Sequence, residues 1–162
     1  MRQSRKAFTM IEMIFVIVIL AILSSVAISK MAVTRDDAVI SKGRSEVAAI
    51  RNAISLTRNT NILMGKGARY PNRLDSLSGT TSNDGDPLFD KNSTAADAVK
   101  LLDYPIYSKS TNGWRKVASN QYAFNATNTD VNFTYTPADG SFDCDHSASH
   151  TAEKKLCKAL TE

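Results

Sequence analysis

The spacing of apolar residues divides the chain into three patterns. From Phe8 to Ile28 the sequence is nearly unbroken, FTMIEMIFVIVILAILSSVAI, with Glu12 its single ionisable side chain. Coiled as a helix, that stretch reaches across the hydrocarbon core of a bilayer. From Lys30 to Leu63 there is no proline, and Ile40, Gly43, Val47, Ile50 and Ile54 recur at alternating spacings of three and four, which predicts an amphipathic helix with its stripe under a sheet. Lys42, Arg44, Glu46, Arg51 and Arg58 fall on its other faces and read as a face turned to water or to neighbouring subunits. Gly65-Lys66-Gly67 ends the helix, and Arg69 to Asp90 reads as a connecting loop. A short helix is expected over Thr94 to Asp103, stopped by Tyr104-Pro105. The period then changes to that of strands. Trp114 to Val117, Gln121 to Ala126, Val131 to Thr136 and Ser141 to Cys144 are short, aromatic and β-branched, and separated by turn residues, which predicts an antiparallel meander. Ser147 to Leu160 is expected to hold one or two helical turns.

Charge changes this picture at one end only. The net charge is +4, but Arg2, Arg5 and Lys6 precede the apolar run, and the remainder is close to neutral. A basic block beside an apolar segment is an orientation signal, so the N-terminus is expected in the cytoplasm and the rest in the periplasm. Three ordinary readings compete: a secretory signal peptide, an uncleaved anchor and a buried core helix. A signal peptide has a shorter apolar stretch, and an anchor gains nothing from an acid in its first turns. An acid within the membrane calls for a partner.

The run Lys6-Ala7-Phe8-Thr9-Met10-Ile11-Glu12, followed by the apolar stretch, resembles the class III leader and first helix of type IV prepilins and type II secretion pseudopilins. The resemblance covers about the first thirty residues and rests on a fixed order of features. It implies an α+β, type IV pilin-like fold, with a long N-terminal helix on a small antiparallel sheet and a disulfide-closed C-terminal region. Four parts follow: a cleaved leader at 1–7, a transmembrane and filament-core half-helix at 8–29, an amphipathic half at 30–64 and a head at 65–162. A prepilin peptidase is expected to cut between Ala7 and Phe8 and to methylate the new Phe8 amine, making Glu12 the fifth mature residue. Buried among apolar helices, the Glu12 carboxylate pairs with the Phe8 amine of an adjacent subunit, which offsets the desolvation of both charges and favours one axial register. The chain departs from the family pattern at Ala7, where glycine is usual, and at Ala21 and Ser29, which replace a common glycine and proline. The last two imply a straighter first helix.

The expected function is that of a structural subunit of a secretion or competence pseudopilus. Its implied partners are other pilin subunits, the inner membrane, and an assembly platform with its ATPase. A surface pilus subunit and an uncleaved, membrane-anchored periplasmic binding protein are the alternatives. No cofactor is implied, and no G-x-S-x-G, H-E-x-x-H or glycine-rich phosphate loop suggests an enzyme.

Other candidate chemistry is weaker. Cys144 and Cys157 suit one disulfide if that end reaches an oxidising compartment, and together with His146 and His150 they form a zinc set of unfamiliar spacing. The disulfide is the preferred reading, with no metal. Asn83-Asp84-Gly85-Asp86 with Asp90 is an acidic turn that lacks EF-hand spacing for calcium. Trp114-Arg115-Lys116 with Tyr104 and Tyr107 offers stacking and charge to single-stranded DNA, but aromatics in strands more often pack in a core, so DNA is the lesser reading. Asn92 and Asn132 stand in acid-extended Asn-x-Ser/Thr tracts resembling bacterial glycosylation sequons, for which chance is the preferred explanation.

Overall fold

The computed structural model describes residues 8–92, 99–147 and 150–162, without the side chains of 27–33. Helix α1 runs Met10–Leu63 and contributes to two compact units, residues 1–37 and 38–162. In the first unit every large apolar side chain described, from Phe8 through Val26, is at least 39% exposed, so these described side chains form no core.

The second unit is an α+β head. The expected stripe on α1 is buried at Gly43, Val47, Ile50 and Ile54, while Ile40 is half-buried. It joins one core with the inward residues of a four-stranded antiparallel meander: β3 (Trp114–Ala118), β4 (Gln121–Ala126), β5 (Thr129–Thr136) and β6 (Ser141–Cys144). Alternation along the strands places Trp114, Tyr122, Phe124, Phe133, Tyr135 and Phe142 inside, each at most 2% exposed. Trp114 lies 5.0 Å from the rings of both Phe124 and Phe133, and Phe133 stacks on Phe142 at 5.1 Å, so contacting rings line the sheet side of the core.

Two strands exceed their expected lengths. β5 begins at Thr129 and not Val131, because Thr127 and Asn128 (φ 51° and 60°) close a two-residue turn of the type whose twist matches the hairpin, letting Ala126 pair with Thr129. β3 reaches Ala118 through a bulge between Lys116 and Ala118. The loop from Arg69 to Asp90 is mostly irregular but holds β1 (Pro87–Leu88), which pairs with β2 (Ile106–Tyr107).

The helix expected over Thr94 to Asp103 is not present at 99–103, and 94–98 lie outside the described residues. There the chain runs beside 89–92: Leu101 N donates to Asp90 O at 2.8 Å, Leu102 N to Phe89 O, and the Asn92 side chain accepts from Val99 N. These non-local bonds satisfy the backbone in place of helical ones. At the other end α2 (Thr151–Thr161) is longer than one or two turns, burying Leu156, Cys157 and Leu160.

The charges of α1 do more than face water. Glu46 accepts from Trp114 Nε1 at 3.0 Å, Arg44 Nε donates to Ala159 O at 2.8 Å, and Arg51 bonds both Phe142 O and the Asp143 carboxylate. They flank the stripe and bind the helix to the sheet and to α2, which apolar periodicity alone does not reveal.

Candidate functional site

The N-terminal segment carries the chemistry singled out above. The Thr9 carbonyl accepts from Met13 N at 3.3 Å and from Glu12 N at 3.1 Å, so Thr9 stands at the N-cap of α1 and Glu12 in its first turn. Thr9-x-x-Glu12 has the spacing of a capping box. A carboxylate there also faces the positive end of the helix dipole. Glu12 is exposed and makes no ion pair within the described residues, and the side chains around it from Met10 to Phe15 are all exposed and otherwise apolar. Such a surface gains free energy only when lipid or other apolar helices cover it. Ala7, on one side of the expected cut, lies outside the described residues. Among them no helix is long and apolar enough to cross a membrane; the apolar run whose side chains are described stops at Val26.

The head sorts the remaining candidates. Cys144 and Cys157 form a disulfide that ties β6 to α2, with Cys157 fully buried. His146 is near both sulfurs, but thiols spent in a disulfide cannot ligate zinc as thiolates. His146 instead contacts the Asp143 carboxylate at 3.3 Å. In the acidic turn Asp84 accepts from Ser110, Asp86 from Asn83 N, and Asp90 from Ser76. The carboxylates face separate donors and not a common centre.

The proposed DNA-stacking cluster is divided. Trp114 is fully buried and Lys116 nearly so, Arg115 is held by Asp130 at 2.7 Å, and only Tyr104 and Tyr107 are well exposed. Burial tends to raise the Asp130 carboxyl, but hydrogen bonds from Asn125 and Arg115 and the Arg115 charge hold it below the usual range. Asp139 and Asp145 are likewise lowered, by bonds from Ser141 and Ser147 respectively. These carboxylates brace turns. Asn132, of the second glycosylation tract, is exposed on β5 and paired in register with Ala123; Asn92 is half-buried.

Comparison with known proteins bears on the N-terminus. Residues 2–28 match the family model of the prokaryotic N-terminal methylation motif. No curated protein and no solved structure matches the chain. The motif implies processing by a prepilin peptidase and assembly with other pilin subunits, and it suggests a membrane-anchored first helix and a structural protein. The class III prepilin leader at residues 2–28, heading an α+β chain with a long first helix and an antiparallel sheet, supports its place in the type IV pilin and pseudopilin family.

Proposed function

We propose that the chain is a structural subunit of a type II secretion or competence pseudopilus, stored in the inner membrane with its N-terminus cytoplasmic and its head periplasmic. A prepilin peptidase removes residues 1–7 between Ala7 and Phe8 and methylates the Phe8 amine. A platform and its ATPase then lift the subunit into a helical filament supporting protein secretion or DNA uptake. The observation that carries this reading is a methylation motif that runs into a helix whose large apolar side chains, from Met10 to Val26, are all exposed. Lipid covers that surface before assembly and neighbouring first helices cover it afterwards. Within the filament Glu12 meets the Phe8 amine of an adjacent subunit, so both charges leave water together.

Intact mass after coexpression with a prepilin peptidase tests the reading. The expected product lacks residues 1–7 and carries one added methyl group. A full-length, unmethylated product would turn the reading to an uncleaved anchored protein.

A further inference from the structure

Past α1 the chain reverses through Gly65 and Gly67, both at positive φ (71° and 83°). Lys66 N donates to Asn61 O at 2.8 Å and Gly65 N to Ile62 O at 3.0 Å, the Schellman pattern that satisfies the last helical carbonyls. The turn brings Lys66 and Arg69 to the wall of a cavity of about 430 Å³ in the head, within the roughly 300–1,000 Å³ range of small-molecule sites. We infer that this cavity binds an acidic saccharide, a hydroxylated ring bearing one carboxylate or phosphate.

The lining carries the argument. Lys66 and Arg69 are its charged residues, no carboxylate lines it among the described residues, and neither cation has an ion pair there. Asn61, Asn72 and Asn92 supply amides, each holding a donor and an acceptor on one plane, which suits adjacent hydroxyls. The Asn61 amide donates to Arg69 O and leaves its oxygen for a ligand, while the Asn92 oxygen accepts from Val99 N and leaves its NH₂. Tyr70 forms a fixed wall: the Arg58 guanidinium lies 5.4 Å from its ring centre, and the ring packs so closely on Gly140 that a Cβ there would collide with it. Among the described residues Arg58 Nε is buried without a hydrogen-bond partner, and its guanidinium adds positive potential behind that wall. The adjoining Pro71 carbonyl accepts from Tyr135 OH, which fastens this side of the cavity to the sheet.

The negative end of α1 favours cations at this place whatever binds, but it does not gather three amides around them. A protein partner would need a broader apolar anchor than Tyr70 and Pro71 offer among the described lining residues, since Arg58 and Gly140 already pack on the Tyr70 ring. A nucleic acid would need a longer basic track and free aromatic faces.

The test is an NMR titration of the ¹⁵N-labelled full-length chain in detergent micelles with glucuronate, glucose 6-phosphate, glucose and inorganic phosphate. Saturable shifts at Arg69, Tyr70 and Asn72 with glucuronate, glucose 6-phosphate or both are expected, the responding arm telling a carboxylate from a phosphate sugar. Replacing both exposed cations (Lys66→Gln with Arg69→Gln) should weaken that binding roughly tenfold or more, with circular dichroism unchanged. Failure of both acidic sugars to saturate, equal binding of glucose, equal binding of inorganic phosphate, or full retention of binding in the double variant would each overturn the inference.

Discussion

Lys116 Nζ lies 2.9 Å from the Asp75 carboxylate, with both side chains closed to solvent, 2% and 1% exposed respectively. The other Asp75 oxygen accepts from Tyr122 OH at 2.5 Å, so one acid after α1 is joined to β3 and β4. Arg73, only partly buried, approaches the same carboxylate at 3.5 Å. Such a pair contributes little beyond its own desolvation, but breaking it strands a charge in the core.

Asp75→Ala should therefore cost about 3–5 kcal/mol, since it leaves Lys116 buried without its carboxylate. Asp75→Asn combined with Lys116→Met keeps an acceptor for Tyr122, removes both charges and should recover most of that loss. Urea denaturation of both variants provides the measurement. A double variant no more stable than the single one would show that the charges themselves hold this loop.

Gly43 faces the core from α1, where an added Cβ would fall 2.5 Å from Phe124 Cζ and 2.8 Å from Leu160 Cδ2. Alanine in a helix ordinarily gains about 1 kcal/mol over glycine. Here the packed ring must move, and overpacking of this kind costs about 1–3 kcal/mol. Gly43→Ala should be net destabilising in thermal or chemical unfolding. A rise in stability would mean that Phe124 and Leu160 relax freely, contrary to the packing described.

What the sequence disclosed follows from the range of the interactions involved. The stripe on α1 and the limits of β4 and β6 were legible because each depends on local period and turn chemistry. The small ribbon of Pro87–Leu88 with Ile106–Tyr107 was not, since two-residue strands leave no period and their pairing is set by distant partners. Val99 and Leu102 carried helical spacing, yet bonds donated to the Phe89 and Asp90 carbonyls decided the backbone there. Likewise the local pattern marks Glu46 and Arg51 as solvated charges, whereas Trp114 and Asp143, far along the chain, hydrogen-bond to them. At the N-terminus the motif was legible in full, because fixed spacing of leader, Phe8 and Glu12 defines it, and the same residues carry the Thr9-x-x-Glu12 spacing of a capping box.

The Cys144–Cys157 bridge closes a short loop, with a sequence separation of 13. A loop of that size stabilises a fold by about 3 kcal/mol by restricting the unfolded chain. Replacing both cysteines by serine should lower unfolding stability by that order. Because Leu156 and Leu160 still pack in the core, α2 should remain helical in the variant but exchange its amide hydrogens faster. Exchange as slow as in the parent would show that α2 is held by packing alone.

Glu12 has two candidate roles that separate by substitution. Glutamine preserves a capping box but removes the charge, whereas alanine removes both. If pairing with a neighbour's Phe8 amine drives assembly, Glu12→Gln and Glu12→Ala should both retain leader removal and membrane insertion, and both should assemble poorly. Filament yield by electron microscopy, beside a cleavage assay, supplies the comparison. Normal filaments from Glu12→Gln, with a defect only in Glu12→Ala, would assign Glu12 to the helix end.

Two of the five tyrosines, Tyr122 and Tyr135, are almost wholly buried. Burial, then the charge of Asp75, pushes the Tyr122 phenol far above its ordinary range; burial, then the neighbouring Tyr70 and Asp139, raises Tyr135. A phenol whose ionisation is raised by folding contributes stability that is fully present below its unfolded value, near pH 10, and lost as pH climbs beyond it. Unfolding free energy should thus fall above about pH 10, by about 1.4 kcal/mol per pH unit from Tyr122 alone. A late rise in absorbance at 295 nm should coincide with loss of circular dichroism, because these phenols ionise when the fold opens. Tyr122→Phe should be less stable at pH 8, having lost the bond to Asp75, yet show a shallower alkaline decline. An equally steep decline in that variant would trace alkaline unfolding to groups other than Tyr122.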